Sequence, residues 1–462
     1  MPDAIGSAVV TVVNPATEEV LADVPRQGVE EAGAAVRAAA AAFPAWRDLA
    51  PGDRARLLRR FAEKVEEHAE ELALVETRNV GKPISDSRGE VGMVADVLHF
   101  YAGAVEKHRG ASVPVAGGLD VTIPEPMGVV AAIVPWNFPL AITSWKVGPA
   151  LACGNTVVVK PAELTPLSAV RLAELALEAG IPEGVLQVVV GPGSVVGSAL
   201  VEHPGVAKVA FTGSTAAGRD VMARASGTIK RVTLELGGKA ANIVFADADL
   251  ERAAAAAPGA AFGNAGQDCC ARSRILVARS AYDRFLALLV EATAGMVVGN
   301  PEDAATAMGP LVSAAQRASV ASFLDPAEAG LEVAYTGTVP TGPGFWYPPT
   351  VVAPCDPSLR VSREEIFGPV VVVTPFEDEA EAVALANDTP YGLSGSIWTR
   401  DLGRAIRVSR AVKAGVLSVN SNSSVRVSTP FGGMKQSGFG RELGLEAMAS
   451  FSEVKNVFFS DS

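Results

Sequence analysis

The chain contains four cysteines, and two of them, Cys269 and Cys270, stand side by side. The residues leading into them read Phe262-Gly263-Asn264-Ala265-Gly266-Gln267-Asp268. Small residues let the backbone turn tightly there and leave an approaching molecule little bulk to meet. Arg272 follows three residues after Cys269. A thiol reacts as its thiolate, which needs access and nearby positive potential. The stretch offers both, although a buried pair packing as small hydrophobes is the commoner arrangement.

Other residues could complete such chemistry. Glu235 opens Glu235-Leu236-Gly237-Gly238-Lys239, where the glycines give an acid room and water a route. Asn137 lies between two prolines in Pro135-Trp136-Asn137-Phe138-Pro139. A stiff turn could hold its amide as an oxyanion donor, while an isolated asparagine there is more often an ordinary turn residue. Lys160-Pro161-Ala162-Glu163 ends an apolar run; a lysine and a carboxylate so placed can hold ribose hydroxyls, and the acid would repel a 2′-phosphate. Gly191-Pro192-Gly193-Ser194-Val195-Val196-Gly197 approaches the dinucleotide fingerprint but spaces its last glycine one residue too far. Phe211-Thr212-Gly213-Ser214 leading into a helix is the better phosphate site, because free N–H groups gather at a helix start.

Of the four histidines, His68, His99, His108 and His203, none lies at i, i+4 from another and none is near the cysteine pair in sequence, so a zinc site has little support. A carboxylate is the better candidate for a base, and no metal is expected.

These residues need a scaffold that brings them together. The chain has 462 residues, 49% hydrophobic and 19% charged, which describes a well-packed globular protein of two or three domains. Its net charge is −12 with no basic cluster, which excludes nucleic acid as an expected partner. The first six residues lack a charged segment followed by a long apolar run, and the longest apolar runs are too short to cross a bilayer. With few cysteines and no secreted spacing, a cytoplasmic, reduced protein is expected, without a membrane partner.

Short strands are expected in 8–24 around Asn14-Pro15-Ala16-Thr17. Amphipathic helices follow at 29–43, 51–76 and 85–107, then a half-exposed strand at 119–124 within a projecting hairpin. From Gly128, strands at 129–134, 156–160, 185–190, 208–211 and 231–236 alternate with helices through 150 and at 165–179, 194–202 and 215–225. That alternation predicts a parallel sheet with helices on both faces and ligands beyond the carboxyl ends of its strands. A second α/β series has strands at 242–245, 274–277, 369–376 and 416–419. Its helices fall at 250–262, 281–290, 313–324, 378–386 and 402–409, and 337–349 reads as a surface loop.

Seven motifs now stand in a fixed order: Pro135–Pro139, Lys160–Glu163, Phe211–Gly218, Glu235–Lys239, Gly266-Gln267-Asp268-Cys269, Glu365-Ile366-Phe367-Gly368-Pro369 and Pro430-Phe431-Gly432-Gly433. In this combination the chain resembles the aldehyde dehydrogenase superfamily, of the NAD(P)-dependent hydrolytic type, from Asn14 nearly to its end. The resemblance implies an α/β fold with a Rossmann-like cofactor domain, an α/β catalytic domain and a small β oligomerisation element. It divides the chain into an NAD-binding domain (1–107 and 127–236), a catalytic domain (237–433) and an oligomerisation element (108–126 and 434–462).

By motif, the resemblance makes Cys269 the nucleophile, Cys270 an inert neighbour, Glu235 the general base and Asn137 the oxyanion donor beside the Cys269 backbone N–H. Lys146 and Glu442 match positions that relay protons to the base. Pro135, Trp136 and Leu236 match cofactor-lining positions, as do Phe211 and Gly213. Lys160 and Glu163 match adenosine-ribose contacts and Ser214 the pyrophosphate contact. Gly193 and Gly197 match glycines that approach the adenine, while Glu365 and Phe367 correspond to groups at the nicotinamide ribose. NAD is the expected cofactor on the strength of Glu163, and NADP stays open because some relatives with an acid there use both.

The expected reaction oxidises an aldehyde to its acid through a cysteine thioester hydrolysed by Glu235-activated water. The alternatives are a CoA-acylating enzyme, whose members commonly lack the base, and a dinucleotide binder without catalysis. Phe138, Trp145 and Phe431 suggest an aromatic funnel for the substrate. The hydroxyls of the stretch 420–427 and Arg426 hint at a polar or anionic distal group, such as an aminoaldehyde carrying a γ-glutamyl carboxylate, or at another polar aliphatic aldehyde. The apolar tail 454–459 would be an exposed edge in a monomer, so a homodimer or homotetramer is expected.

Overall fold

The computed structural model describes residues 8–325, 330–423 and 425–461. Residues 1–6, read above for a leader, and Ser424 of the 420–427 stretch lie outside them. Two large sheets and two small ones organise the described residues, the smallest being the antiparallel pair Val9–Val13 and Val20–Pro25, as expected for 8–24.

The first large sheet has six strands in the order Gly438–Phe439, Arg231–Glu235, Val206–Thr212, Val129–Ile133, Thr156–Lys160, Leu186–Val188. All pair in parallel except Gly438–Phe439, which adds an antiparallel edge to the strand ending in Glu235. Val129–Ile133 is buried at every position, as expected for a β-branched run covered by helices on both faces. Each such apolar side chain contributes roughly 1.5–3 kcal/mol when fully removed from water.

The second large sheet has seven strands, in the order Val333–Thr336, Thr350–Val352, Val370–Phe376, Arg274–Ala278, Ala241–Val244, Ser394–Trp398, Val416–Val419. Only its edge strand Val333–Thr336 is antiparallel. The expected parallel α/β series is therefore present twice, and the stretch 337–349 is the irregular loop expected of it.

Several elements differ from the sequence expectation, among them the strands Val333–Thr336, Thr350–Val352 and Gly438–Phe439, which lie outside every strand expected there. Pro51–Glu67 and Ala69–Val80 are separate helices, broken where His68 leaves helical geometry (φ −105°, ψ 21°). Ser394–Trp398, the strand beside Ala241–Val244, was not anticipated. It reads Ser-Gly-Ser-Ile-Trp, and its small polar residues carry no apolar run, yet all five are buried.

The third sheet is antiparallel. Ser452–Ser460 pairs along its whole length with Gly118–Pro126, which pairs in turn with Ser112–Val115. The projecting hairpin and the apolar tail thus form one element. Val454 is 72% exposed, and Phe458 and Phe459 are about half exposed (51% and 55%). Among the described residues, no helix is long and apolar enough to cross a membrane.

Candidate active site

The carboxyl ends of the six-stranded sheet face a cavity of about 450 Å³. Asn137, Glu235 and Cys269, read from three distant segments, all line it. The strand Val129–Ile133 delivers the turn that carries Asn137, and Arg231–Glu235 ends on the acid itself.

Cys269 is held by an unusual turn. Asn264 and Ala265 adopt left-handed backbone angles (φ 49° and 55°), and Gly266 follows at φ 71°. Side chains rarely sit there, so the turn is over-determined by hydrogen bonds. The Gln267 amide donates to the Asn264 carbonyl (2.9 Å) and its oxygen accepts from the Val312 N–H (2.9 Å). Asn264 Nδ2 donates to the Asn137 carbonyl (3.0 Å), and Asn137 Nδ2 donates to the Gln267 carbonyl (2.9 Å). The oxyanion candidate and the nucleophile turn are thereby locked to each other. One N–H of the Asn137 amide is used in this lock, which leaves the second for a ligand.

Arg272 does not provide the positive setting its position suggested. It is buried and donates to the Cys270 carbonyl and to Ser394 Oγ (3.0 Å) and Ser396 Oγ (3.1 Å), serving the seven-stranded sheet. Around Cys269 stand acids instead: the Asp268 carboxylate and the two thiols lie within 4.8 Å of one another. Contact with Cys270, then burial, holds the Cys269 thiol well above its ordinary range, with Asp268 and Glu365 adding to the effect. The cysteine rests as a thiol. Cys270 is buried within the main hydrophobic core.

Glu235 is 3% exposed, and among the described residues neither of its oxygens has a hydrogen-bond partner. Burial, then the neighbouring Glu442, pushes its carboxyl well above the ordinary carboxylate range. Behind it lies a buried ion pair between Lys146 and Glu442, and Lys146 also donates to Thr212 Oγ1 (2.7 Å). The segment bearing Glu442 is fixed by paired backbone bonds with Phe431 (2.7 and 2.8 Å). Lys146 and Glu442 therefore stand behind the base, outside the cavity lining.

Most cofactor candidates gather along the same cavity: Pro135, Trp136, Lys160, Gly193, Phe211, Gly213, Ser214, Leu236, Glu365 and Phe367. Ser214 caps the helix Thr215–Ala225, accepting from the Ala217 N–H (3.2 Å), so the helix N-terminus opens beside an exposed hydroxyl. Lys160 Nζ lies 3.9 Å from where a β-carbon on Gly193 would stand, which joins the ribose and adenine candidates. Burial pushes the Lys160 amine down to about 8, against the charge of Glu163. Glu365 accepts from the Gly238 N–H (2.8 Å), and burial raises its carboxyl to about 7. Trp136 and Phe367 meet edge to face at 5.2 Å. A dinucleotide fits these groups: a helix start for its pyrophosphate, an amine and an acid for a ribose, and a glycine where bulk would obstruct.

Other candidates sit outside the lining. Glu163 pairs with Arg26 (3.2 Å), and Gly197 is buried in the π-turn Gly193–Gly197. Trp145 and Phe431 form an edge-to-face pair at 5.2 Å in the core, and of the three aromatic candidates only Phe138, packed against that core, lines the cavity. Arg426 folds back on its own loop, donating to Ser423 Oγ and the Val425 carbonyl (both 2.7 Å). Residues not singled out from the sequence also matter: Thr212 beside Lys146, the Asn264 lock, and Gln316, whose amide donates to the Phe367 carbonyl (2.8 Å). Thr212 and Asn264 lay inside quoted motifs; Gln316 carried no signal.

The Aldehyde dehydrogenase family profile matches residues 3–457. The chain is 45% identical over 454 residues to the NADP/NAD-dependent aldehyde dehydrogenase PuuC of Escherichia coli (strain K12), covering 97% of this chain and 92% of that one. It is 41% identical over 457 residues to a betaine aldehyde dehydrogenase of Bacillus subtilis (strain 168), with coverages of 97% and 93%. Its fold matches the crystal structure of PnpE in complex with nicotinamide adenine dinucleotide, with a TM-score of 0.96 and 44% identity over 98% of this chain and 95% of that one.

Proposed function

This chain belongs to the aldehyde dehydrogenase family, and from that premise we propose that it oxidises an aldehyde to the carboxylic acid with NAD through a covalent intermediate on Cys269. One observation carries the assignment of roles. Glu235, a buried acid whose oxygens find no protein partner among the described residues, lines the same cavity as Cys269 and Asn137.

Hydride leaves readily only from an sp³ carbon bearing a negative oxygen. Cys269 supplies that carbon: its thiol gives up its proton to water as the sulfur adds to the aldehyde carbonyl, forming a thiohemiacetal oxyanion. The free N–H of Asn137, with the Cys269 backbone N–H, stabilises the oxygen as charge develops on it. Bound in this cavity, the oxidised nicotinamide supplies a hydride acceptor and a positive charge. Collapse of the oxyanion leaves a thioester on Cys269. Glu235 then takes a proton from water as the oxygen attacks the thioester carbon; the sulfur leaves as thiolate and takes the proton of the new carboxyl group, so the carboxylate is released and the thiol restored. Lys146 and Glu442 carry that proton away from the base.

Lys160, Glu163 and Ser214 hold the adenosine and pyrophosphate portions, while Glu365 and Phe367 hold the nicotinamide ribose. The cofactor domain comprises 1–107 and 127–236, the catalytic domain 237–433, and the self-association element 108–126 with 434–462. We take the protein to work in the cytoplasm as a homodimer or homotetramer. An aminoaldehyde suits the substrate side: Phe138 lines the cavity, and its ring already accepts a cation, Lys82, 4.5 Å from the ring centre. Arg426, spent on its own loop, makes an anionic distal group the weaker choice.

Rapid mixing with aldehyde and NAD tests the roles. Glu235→Gln should give a first burst of NADH of normal size and then lose steady turnover by at least about a hundredfold. Cys269→Ala should give no burst while still binding NAD. Full steady-state activity in Glu235→Gln would remove it as the hydrolytic base.

A further inference from the structure

The strand Val206–Thr212 carries a second lysine, Lys208, at the opposite end from Thr212. Lys208 is 2% exposed. Its amine donates to Thr233 Oγ1 (2.6 Å) and lies 4.9 Å from the centre of the Phe451 ring. No carboxylate is within ion-pair distance of it among the described residues. A buried amine kept with one hydroxyl and one ring face is a costly arrangement for a purely structural group.

Its placement suggests a reason. Val206–Thr212 and Arg231–Glu235 pair in parallel, with Lys208 opposite Arg231, Ala210 opposite Thr233 and Thr212 opposite Glu235. Side chains alternate along a strand, so these three rungs project from one face. The inner rung holds the base and the hydroxyl bound by Lys146. The outer rung reaches the surface, where Arg231 pairs with Glu453 (2.6 Å) and both are about half exposed or more. Ala210 leaves the middle rung open, and there Lys208 bends inward to meet Thr233. Across the face, Gly440 packs so closely on Thr233 that a β-carbon would collide with it. Gly440 stands two residues before Glu442.

We propose that Lys208 is the outer proton-relay residue of the hydrolytic step, taking up the proton that leaves Glu235 through Glu442 and Lys146 and releasing it to bulk water beside Arg231 and Glu453. This rests on the reading of Glu235 as the base. The groups facing the amine are Lys146, Glu442, Arg231 and Glu453; burial, then the charge of Lys146, pushes it down to about 7. An amine near neutrality can both accept and give a proton at working pH. Two ammonium groups beside a single buried carboxylate repel, so Lys208 gains its proton as the Lys146–Glu442 pair gives one up. The balance closes: water loses one proton to Glu235 as its oxygen joins the thioester carbon, and one proton reaches solvent.

The test separates hydrolysis from the hydride step. Lys208→Met should leave the NADH burst intact and slow decay of the acyl-enzyme, followed by rapid quench, about tenfold. Lys208→Arg keeps size and charge but cannot release its proton, so it should remain slow. Wild-type decay in Lys208→Met, or recovery in Lys208→Arg, overturns the proposal. If Lys208→Met does not fold, Thr233→Val removes the amine's hydrogen bond, and unchanged decay in that variant overturns it equally. Absence of any burst in the unaltered protein would instead sink the underlying reading and take the relay with it.

Discussion

At the scale of single residues, the cavity works through groups displaced from their ordinary proton affinities. Cys269 rests protonated among acids, and Glu235 holds its proton well above the carboxylate range. Hydrolysis needs Glu235 ionised, so acyl-enzyme decay should rise with pH and reach its midpoint well above pH 4.5. Below that midpoint the base is a carboxylic acid and cannot take water's proton. Glu442 is the second cause of the displacement, after burial. Glu442→Gln should therefore move the midpoint to lower pH even as the plateau falls; a pH–rate profile of the decay would check both. An unmoved midpoint would show that burial alone sets the base. Nothing in the sequence announced these displacements. Residue types named the chemistry, but the resting state of a thiol depends on which charges packing places around it, and Arg272 was packed away from Cys269.

At the scale of elements, the nucleophile depends on a turn that few sequences could make. Gly266 combines φ 71° with a backbone so near Gly368 and Pro369 that a β-carbon would strike the Gly368 carbonyl. Gly263, three residues earlier, has open space around it and an ordinary φ of −51°. Gly266→Ala should cost about 1–3 kcal/mol in strain, lower the melting temperature and suppress the NADH burst. Gly263→Ala should change neither by much, and calorimetry with stopped-flow fluorescence distinguishes the pair. Equal tolerance at both positions would mean that the turn can relax. Strands buried on both faces were readable because Val129–Ile133 has no option but the interior. Ser394–Trp398 was not readable, since its burial comes from neighbours on either side and from Arg272 bonding its serines. The break at His68 was hidden for a related reason: the amphipathic pattern runs on through a residue whose backbone turns aside.

At the scale of the whole molecule, the three-stranded sheet leaves an apolar face uncovered among the described residues. Val454, Phe458, Phe459, Leu119 and Ile123 leave much of the three-stranded sheet's apolar surface in water. Extended apolar edges of this kind are covered in stable proteins, and a second copy of the chain is the simplest cover. Sedimentation should find a dimer or tetramer, and Val454→Glu with Phe458→Glu should shift it toward monomer while leaving the cavity's residues untouched. A monomer in the unaltered protein would refute self-association through this sheet. The order of motifs made the global architecture legible, because four of the seven sit at the carboxyl ends of strands in one parallel sheet and such strands can be assembled in few ways.

The stretch from Phe431 to Ser460 has a consequence for anyone recombining this chain with its relatives. It starts in the core beside Trp145, passes Gly440 against Thr233, contributes Glu442 behind the base, and ends as the strand that carries the exposed apolar face. Acid–base equipment and quaternary contact are thus inherited as one cassette. A chimera that borrowed only a tail to alter its assembly would import a foreign set of proton donors, and its rate of product release would change with its stoichiometry.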